Sequence, residues 1–483
     1  MTKTGIFAVA ALLLGAISSA FAIGGVDTPP PAAASHEVTF SQPKETKLAN
    51  GMRVVVVERP GLPLLAAEVL IRTGSEVDPK DLAGTANMTG ALLTRGTESM
   101  SSPEIARTIE TLGGTIDSGA YWEGTRATVL VMSDKAEPAL RILADVILHP
   151  AFKQEEIDRL KNQTLDGLRV AMRQPGAVAQ FVTVRALFGE SPYGHSPVGT
   201  METVQAVKRE DIVNVHKTYF VPENAAIILS GNLTLEEGKK YAELFFGDWK
   251  GATPAASNKP SSNPADWKAE NIVVDMPEAG QAAVSLARPG IKRSSPDYYA
   301  GLVANAALGT GFVSRLNKEI RIKRGLSYGA RSSLDARRDP GPFTTSAQTK
   351  NESAAEVAKL MLAELKKLKS EPVAGEELKS RQAVLTGSYA RSLESNGGFV
   401  GKISVMIAQG LPLDTLNKFI PSINAVTTSD VTAFAEKYFE PTPTLIIVGK
   451  AAAFLEPLKK DFPDVRVIRT SELDLNSAGL IKK

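Results

Sequence analysis

Apolar and polar positions along the chain alternate in blocks that fit strands and helices in turn. The segments "RVVVVERPG" (53–61) and "LPLLAAEVLIRTG" (62–74) are rich in β-branched residues and predict a pair of strands joined as a hairpin. "RATVLVMSD" (126–134) predicts a further strand. Strands joined by short turns and packed under helices indicate an α+β fold, with antiparallel sheets covered by helices on one face.

Helical periodicity fills the intervals between the strands. A stripe from Leu140 to Ile147 follows Pro138 with apolar residues at helical spacing. Ser353 and Glu356 have the spacing of a capping box and predict the start of another helix.

The two halves of the chain repeat each other. In each half a helical stripe ends at Tyr-Phe-x-Pro, and an apolar β-type run ("AAIILSG", "TLIIVG") follows. Five residues of the first half match five of the second at a constant offset of 219: Val207, Asp211, Tyr219, Phe220 and Pro222 match Val426, Asp430, Tyr438, Phe439 and Pro441. A repeat this long predicts two homologous domains, each a mainly antiparallel sheet covered by helices, rather than a solenoid.

The N-terminus has the pattern of a secretory signal. Lys3 precedes the apolar run "IFAVAALLLGAISSAFA", which ends in Ala20-Phe21-Ala22. We expect cleavage after Ala22, a flexible lead over 23–36 and a periplasmic location. The alternative, a membrane anchor, needs about 20 apolar residues without a small-residue cleavage site. No later run is long enough to cross a bilayer.

The stretch 251–267 is rich in Pro, Ser and Ala and predicts a linker, because such a composition cannot bury a core. It separates a first domain over 37–250 from a second over 268–470, and 471–483 is expected to be a tail.

Composition excludes several classes of function. The 55 basic and 53 acidic residues nearly balance, which argues against nucleic acid as the partner. There is no cysteine, and the 4 histidines (His36, His149, His195 and His216) lack metal-ligand spacing, so a conventional zinc site lacks ligands. His195, in a Gly/Pro-rich segment, is expected to lie on a surface loop. No nucleophile elbow or phosphate loop is present.

Three segments carry a resemblance to a known family: "GTANMTGALLTRGTESMS", "SPYGHSPVGTMETV" and "LGTGFVSRLNKEIRIKRGLSYGARSS". Together with the duplication, they resemble the pitrilysin (insulinase-type) zinc metallopeptidases over nearly all of the chain after the signal. The family's first domain carries His-x-x-Glu-His, with a third ligand, Glu, on a later helix. The two histidines and that Glu hold zinc, and the central Glu activates the metal-bound water.

This chain has lost that chemistry. The resemblance places Asn87 and Ala91 at the two histidine positions, Gly90 at the base and Gly167 at the third ligand. Asp166 is adjacent to Gly167, but successive helical residues point about 100° apart. The resemblance therefore implies no zinc on this chain.

The second domain keeps the family's other motif. "RIKRGLSY" resembles the Arg/Tyr pair and places it at Arg321 and Tyr328. In the family, the Arg donates to a substrate carbonyl and the Tyr hydroxyl stabilises the oxyanion at the zinc. The alternative is that Arg321 caps a helix or forms a salt bridge on it, and that Tyr328 packs in the core.

Three further segments near these motifs are open to interpretation. Gly309 and Gly311 resemble the substrate-sensing loop of noncatalytic subunits, and the alternative is a turn between helices. Lys323 and Arg324 are expected to be solvated helix charges. The segment around Tyr121 corresponds to the edge strand that pairs with substrate in the family, but bulky residues make that role doubtful here.

Two hypotheses follow from the resemblance. The first is a noncatalytic subunit of a secreted heterodimeric zinc peptidase, supplying Arg321 and Tyr328 to a homologous partner that carries zinc and His-x-x-Glu-His, with peptides or unfolded segments as substrates. The second is a catalytically dead homodimer that binds peptides or acts as a scaffold. An independent hydrolase lacks a nucleophile–base pair.

Overall fold

The computed structural model describes residues 39–251, 267–439 and 442–482. The predicted signal sequence and lead, residues 252–266 of the predicted linker and Pro441 of the repeat lie outside these residues. Both halves belong to one compact unit that begins at Phe40. No helix in the three described ranges is long and apolar enough to cross a membrane.

The first half contains six strands and eight α-helices in its described part. The strands are β1 (Lys44–Lys47), β2 (Arg53–Glu58), β3 (Leu64–Ile71), β4 (Thr115–Tyr121), β5 (Gly124–Met132) and β6 (Ala225–Gly231). The helices are α1 (Thr85–Leu92), α2 (Ser102–Thr111), α3 (Ala136–Leu148), α4 (Gln154–Ala171), α5 (Pro175–Phe188), α6 (Met201–Ala206), α7 (Arg209–Tyr219) and α8 (Leu235–Phe246).

The described part of the second half contains six strands, seven α-helices and one π-helical segment (Asn317–Ile322). The strands are β7 (Asn271–Asp275), β8 (Ala282–Pro289), β9 (Ala330–Leu334), β10 (Pro342–Thr349), β11 (Thr444–Gly449) and β12 (Val465–Arg469). The helices are α9 (Tyr298–Gly309), α10 (Ala354–Ser370), α11 (Gly375–Ser392), α12 (Asn396–Ala408), α13 (Thr415–Asn424), α14 (Thr428–Phe439) and α15 (Leu455–Asp461).

The two sheets have matching strand orders, which confirms the duplicated α+β fold. The first runs β1-β2-β6-β3-β5-β4 and the second β12-β7-β11-β8-β10-β9. Only the outermost strand beside β2 or β7 differs, because β1 runs antiparallel to β2 whereas β12 runs parallel to β7. The helices α7 and α14, which end in the repeated Tyr-Phe sequence, precede the equivalent strands β6 and β11.

The predicted hairpin of β2 and β3 is wrong. Strand β6 lies between them, with Val54 opposite Ile227 in a parallel pair and Ala67 opposite Leu229 in an antiparallel pair. All seven residues of β6 are buried, so this strand belongs in the centre of the sheet. A turn signal between two apolar runs cannot reveal a third strand that is distant in sequence.

Each sheet is covered on both faces, and the second cover comes from the other half. Helix α5 packs on the second sheet, and α12 packs on the first. The residues of α5 in this contact include Val178, Ala179 and Val182, against Ile272, Val274 and Ile446. Those of α12 include Phe399, Val400 and Ile403, against Val55, Val57 and Ile228. The expectation of one covered face is therefore incomplete, and the two halves are interlocked.

A buried ionic cluster joins the halves beside this apolar contact. Arg338 donates from Nη2 to Glu76 Oε1 at 2.5 Å and from its backbone N to Glu123 Oε1 at 2.8 Å. The Tyr193 hydroxyl also donates to Glu123. Burial raises the pKa of Glu123, while the Tyr193 hydrogen bond and the Arg338 charge oppose that shift. Arg338 thus compensates two carboxylates that are almost fully buried.

Two local expectations are also wrong. His195 is buried rather than on a surface loop, with its ring 5.4 Å from that of Trp122 and its Nε2 3.7 Å from Asp78 Oδ2. Helix α10 does begin after Ser353, as predicted, but the capping box is absent: a 3₁₀ turn over Asn351–Ser353 leads directly into α10, and the Ser353 side chain accepts no capping hydrogen bond. The Glu356 carboxylate instead lies 3.7 Å from Arg324.

Removing Arg338 should destabilise the whole unit. Arg338→Met removes the guanidinium that pairs with both Glu76 and Glu123, and breaking such a buried pair costs about 3–5 kcal/mol. In the variant the folded-state pKa of Glu123 rises further above its unfolded value, so stability is lost as pH rises through that folded pKa. We expect the loss in free energy of unfolding to be larger at pH 8 than at pH 5.

Urea unfolding at the two pH values measures the effect. Arg169→Met is the control, since Arg169 and its partner Asp166 are 56% and 72% exposed and such pairs contribute at most about 1 kcal/mol. Equal, small losses in both variants would contradict a stabilising role for the buried cluster.

Candidate functional site

Helix α1, which carries three of the four lost zinc-site positions, is firmly anchored at its N-terminus. The Asp78 carboxylate accepts hydrogen bonds from the backbone N of Gly84 and of Ala86, each at 2.8 Å. Burial raises the pKa of Asp78, and its hydrogen bonds and the neighbouring His195 oppose the shift. The position of helix α1 is therefore maintained by hydrogen bonds that do not involve a metal ion.

The base position is filled by close packing against the sheet. A Cβ atom on Gly90 would lie 2.7 Å from the backbone N of Ala120 and 2.7 Å from the carbonyl carbon of Gly119, both in edge strand β4. Real Cβ atoms do not approach backbone so closely. A glutamate at position 90 would therefore require β4 to move.

The other three positions also lack zinc ligands. Gly167 lies on α4 in the open, and a Cβ atom added there would meet no atom within 4 Å. Asp166 is exposed and pairs with Arg169. Asn87 and Ala91 are half-buried on α1 and offer one amide oxygen between them. These residues do not fit a zinc ion, and no group of three or more His, Cys, Asp or Glu side chains that could hold a metal occurs in the described ranges.

Arg321 and Tyr328 come together on the surface of the second half. Arg321 lies in the π-helical segment Asn317–Ile322, whose i−5 hydrogen bond runs from Lys323 N to Lys318 O at 2.9 Å. Such segments are rare in proteins, and those that occur are often found at functional sites. The Arg321 guanidinium carbon lies 4.5 Å from the centroid of the Tyr328 ring.

The exposure of Tyr328 tests the alternative that this side chain packs in the core. Its side chain is among the most accessible apolar groups, at 88% exposure, so Tyr328 does not pack in the core. Arg321 makes no ion pair with any residue that the structure describes, so the salt-bridge alternative also fails. Tyr328 is therefore exposed and Arg321 half-buried, with no ion pair to a described residue.

A third residue, missed by the sequence reasoning, completes the cluster. Phe312 is 57% exposed, and its ring centroid lies 4.7 Å from the Arg321 guanidinium carbon. An exposed cation–π contact contributes about 0.5–1 kcal/mol. Fixing an arginine side chain costs about 2 kcal/mol of rotamer entropy. Contacts with two rings come close to offsetting this cost, whereas a contact with one ring does not. An aromatic residue inside a glycine-rich loop was the available signal.

Buried polar contacts fix the loop that carries Phe312. The Asn317 side-chain amide donates to the carbonyl of Gly311 at 2.9 Å, while its oxygen accepts from the backbone N of Ala330 at 3.1 Å. Arg381 donates to the carbonyl of Val313 at 2.9 Å. Asn317 thus connects the glycine loop to the strand that follows Tyr328.

The two loop glycines have different surroundings. A Cβ on Gly309 would lie 2.1 Å from the backbone N of Ser332 in edge strand β9. Gly309 lies 219 residues after Gly90, which is the offset of the duplication, and it packs on β9 as Gly90 packs on β4. Gly311 has φ +81° with open space around it, which is a left-handed turn conformation that glycine adopts without strain. The loop connects α9 to the π-helical segment.

The neighbouring basic residues Lys323 and Arg324 are exposed, as expected, and both also pair with carboxylates. Lys323 Nζ donates to Glu319 Oε2 at 2.9 Å, and Arg324 pairs with the other oxygen of the same carboxylate. The Lys323 hydrogen bond lowers the pKa of Glu319 against the effect of its burial. Lys323 and Arg324 thus both pair with carboxylates, whereas Arg321 forms no ion pair among the described residues.

Strand β4 forms the outer edge of the first sheet, at the place where the resemblance puts an edge strand. The Tyr121 side chain at its end turns inward over Gly124, and burial raises its pKa. Trp122 lies beside the ionic cluster between the halves, with its ring 5.5 Å from that of Tyr193 and 4.3 Å from the Arg337 guanidinium carbon. Neither bulky side chain projects along the edge.

Comparison with known proteins identifies the family. A family model described as insulinase (peptidase family M16) matches residues 53–200, and one described as the peptidase M16 inactive domain matches residues 206–385. The chain belongs to the M16 peptidase family. With its ligand and base positions emptied, it is a noncatalytic member of M16.

Relatives and solved structures extend over most of this M16 chain. An uncharacterized zinc protease of Bacillus subtilis is 25% identical over 404 residues, covering 83% of this chain and 96% of the relative. The crystal structure of a peptidase M16 inactive domain from Pseudomonas fluorescens has a TM-score of 0.79 and 29% identity, covering 84% and 98% of the two chains. A Helicobacter pylori protease structure, 21% identical with a TM-score of 0.79 over 85% of this chain and 100% of its own, shares the fold.

The contrast between Gly90 and Gly167 gives a direct test of the filled base position. Gly90→Ala should lower the free energy of unfolding by about 1–3 kcal/mol, because its Cβ overlaps the backbone of β4. Gly167→Ala, in the same fold but with open space, should raise it by about 0.5–1 kcal/mol through helix propensity alone. Urea unfolding compares the two. If both substitutions stabilise, α1 does not pack on β4 as described.

Proposed function

We propose that this chain is the noncatalytic subunit of a heterodimeric zinc metallopeptidase of the periplasm. Its partner is a homologous chain with a complete His-x-x-Glu-His motif and the zinc ion. This chain supplies Arg321 and Tyr328 to the partner's site, where peptides or unfolded segments are hydrolysed. Zinc, when bound by the partner, polarises the scissile carbonyl and activates water.

The observation that carries this proposal is the exposed Arg321–Tyr328 pair. Arg321 lies 4.5 Å from the Tyr328 ring, Tyr328 is 88% exposed, and no described residue forms an ion pair with the guanidinium. A pair kept only for stability would be buried or bonded within the chain. A guanidinium with five donors fits a substrate carbonyl, and a phenol hydroxyl fits an oxyanion.

The chemistry divides between the two chains in this account. Arg321 binds and orients the substrate backbone through its N–H donors. The Tyr328 hydroxyl donates a hydrogen bond to the oxygen on which negative charge develops. The lost base position agrees with this division, since Gly90 packs on β4 and leaves no room for a carboxylate.

Titration of the zinc-bearing homologue with this chain tests the proposal. Both chains are purified from the periplasmic fraction, to which the signal sequence is expected to direct them, and activity is followed on a mixed peptide pool. We expect activity to rise and saturate at one-to-one. Tyr328→Phe should lower kcat about 10²–10³-fold, as for other oxyanion donors, and Arg321→Met should lower kcat/KM.

Arg469→Met is the control, because Arg469 is 75% exposed on the outer strand β12 of the second sheet. It should leave the titration unchanged. If the two chains bind but activity does not depend on Tyr328 or Arg321, the shared-site proposal fails and the peptide-holding or scaffold function takes its place.

A further inference from the structure

Two exposed rings hold the Arg321 guanidinium. The centroid of Phe312 lies 4.7 Å from its central carbon and that of Tyr328 lies 4.5 Å away. Among the described residues, no carboxylate forms an ion pair with Arg321. The direction of this side chain is therefore set by the aromatic contacts.

The packing of Phe312 does not require an aromatic side chain. Its ring is 57% exposed, so it adds little to any core. The backbone on both sides of it is fixed, with the Gly311 carbonyl bonded to Asn317 and the Val313 carbonyl bonded to Arg381, each at 2.9 Å. Fixed backbone on both sides gives the ring a defined place beside Arg321.

We infer that Phe312 is a positioning residue, which holds Arg321 against Tyr328 so that guanidinium and phenol meet the substrate as a preformed pair. The inference rests on the proposed function for its effect on catalysis, but the positioning itself is a property of this chain alone. Each exposed cation–π contact shifts a side-chain equilibrium about two- to fivefold. Losing one of two such contacts should let Arg321 leave the Tyr328 ring.

The first experiment observes Arg321 in the free full-length chain, with arginine-selective ¹⁵N labelling and NMR. The Arg321 Nε–Hε resonance, assigned by its loss in Arg321→Met, should be displaced by the ring currents of both aromatic groups. Phe312→Leu should move it toward the position of a free arginine, and Phe312→Tyr should restore it. Val313→Ala, a change at the adjacent exposed apolar residue, should leave it in place. Because replacing Phe312 also removes its own ring current, the deciding comparison adds Tyr328→Leu to Phe312→Leu: if this second substitution moves the resonance further, Arg321 still lies on the Tyr328 ring and the inference is overturned.

The second experiment places Phe312 in a double-mutant cycle with Arg321, using peptidase activity of the one-to-one complex. Phe312→Leu should lower kcat/KM about two- to fivefold in the wild-type background and not at all in the Arg321→Met background. Phe312→Tyr should retain the wild-type value. An equal fall in both backgrounds would mean that Phe312 acts without Arg321, and would overturn the inference.

The two experiments separate this inference from the proposed function. If Arg321→Met leaves activity unchanged, the proposed shared site fails, whereas the NMR result still decides whether Phe312 holds Arg321. If activity depends on Arg321 but Arg321 still lies on the Tyr328 ring in Phe312→Leu, the proposed function stands and the positioning role fails.

Discussion

The exchange of covering helices between the two halves is the constraint on which the rest of the structure depends. The central strands of each sheet are buried on both faces, so a single layer of helices cannot complete either core. Helix α5 covers the second sheet and α12 covers the first. Leaving residues such as Val55 or Ile446 in water would cost about 1.5–3 kcal/mol for each side chain. The halves therefore hold each other in one arrangement.

That arrangement explains how the chain can lose its metal chemistry and keep its frame. Helix α1 depends on the Asp78 cap and on the contact of Gly90 with β4, and neither involves a metal ligand. The same glycine contact recurs at Gly309 on β9. In the first half, the helix that packs on the edge strand lacks the zinc ligands. In the second half, the equivalent helix α9 leads into the loop and the π-helical segment that carry Phe312 and Arg321.

Local patterns in the sequence were sufficient for much of the fold. The apolar runs became strands, the stripe from Leu140 to Ile147 became part of α3, and the repeated Tyr-Phe helices occupy equivalent places before β6 and β11. Long-range features could not be derived in this way. The insertion of β6 between β2 and β3, the second cover of each sheet and the burial of His195 all depend on residues far apart in sequence.

The site shows the same division. The resemblance placed Arg321, Tyr328 and the four emptied positions, but their roles remain predictions. It gave no reason to single out Phe312, whose contact with Arg321 joins the glycine loop to the π-helical segment and is visible only in the structure. The tight contact at Gly90 is likewise invisible in sequence, where a glycine in a helix indicates only the absence of a side chain.

One measurement tests most directly whether this chain reaches a partner's zinc site. Tyr328 is replaced by the photo-cross-linker p-benzoylphenylalanine in the complex with the zinc-bearing homologue, and cross-linked peptides are identified by mass spectrometry. The account predicts a cross-link to the partner peptide that contains His-x-x-Glu-His, and none from the same probe at Leu244, which is 60% exposed on α8. A stable complex whose cross-links from position 328 never include that peptide would contradict it.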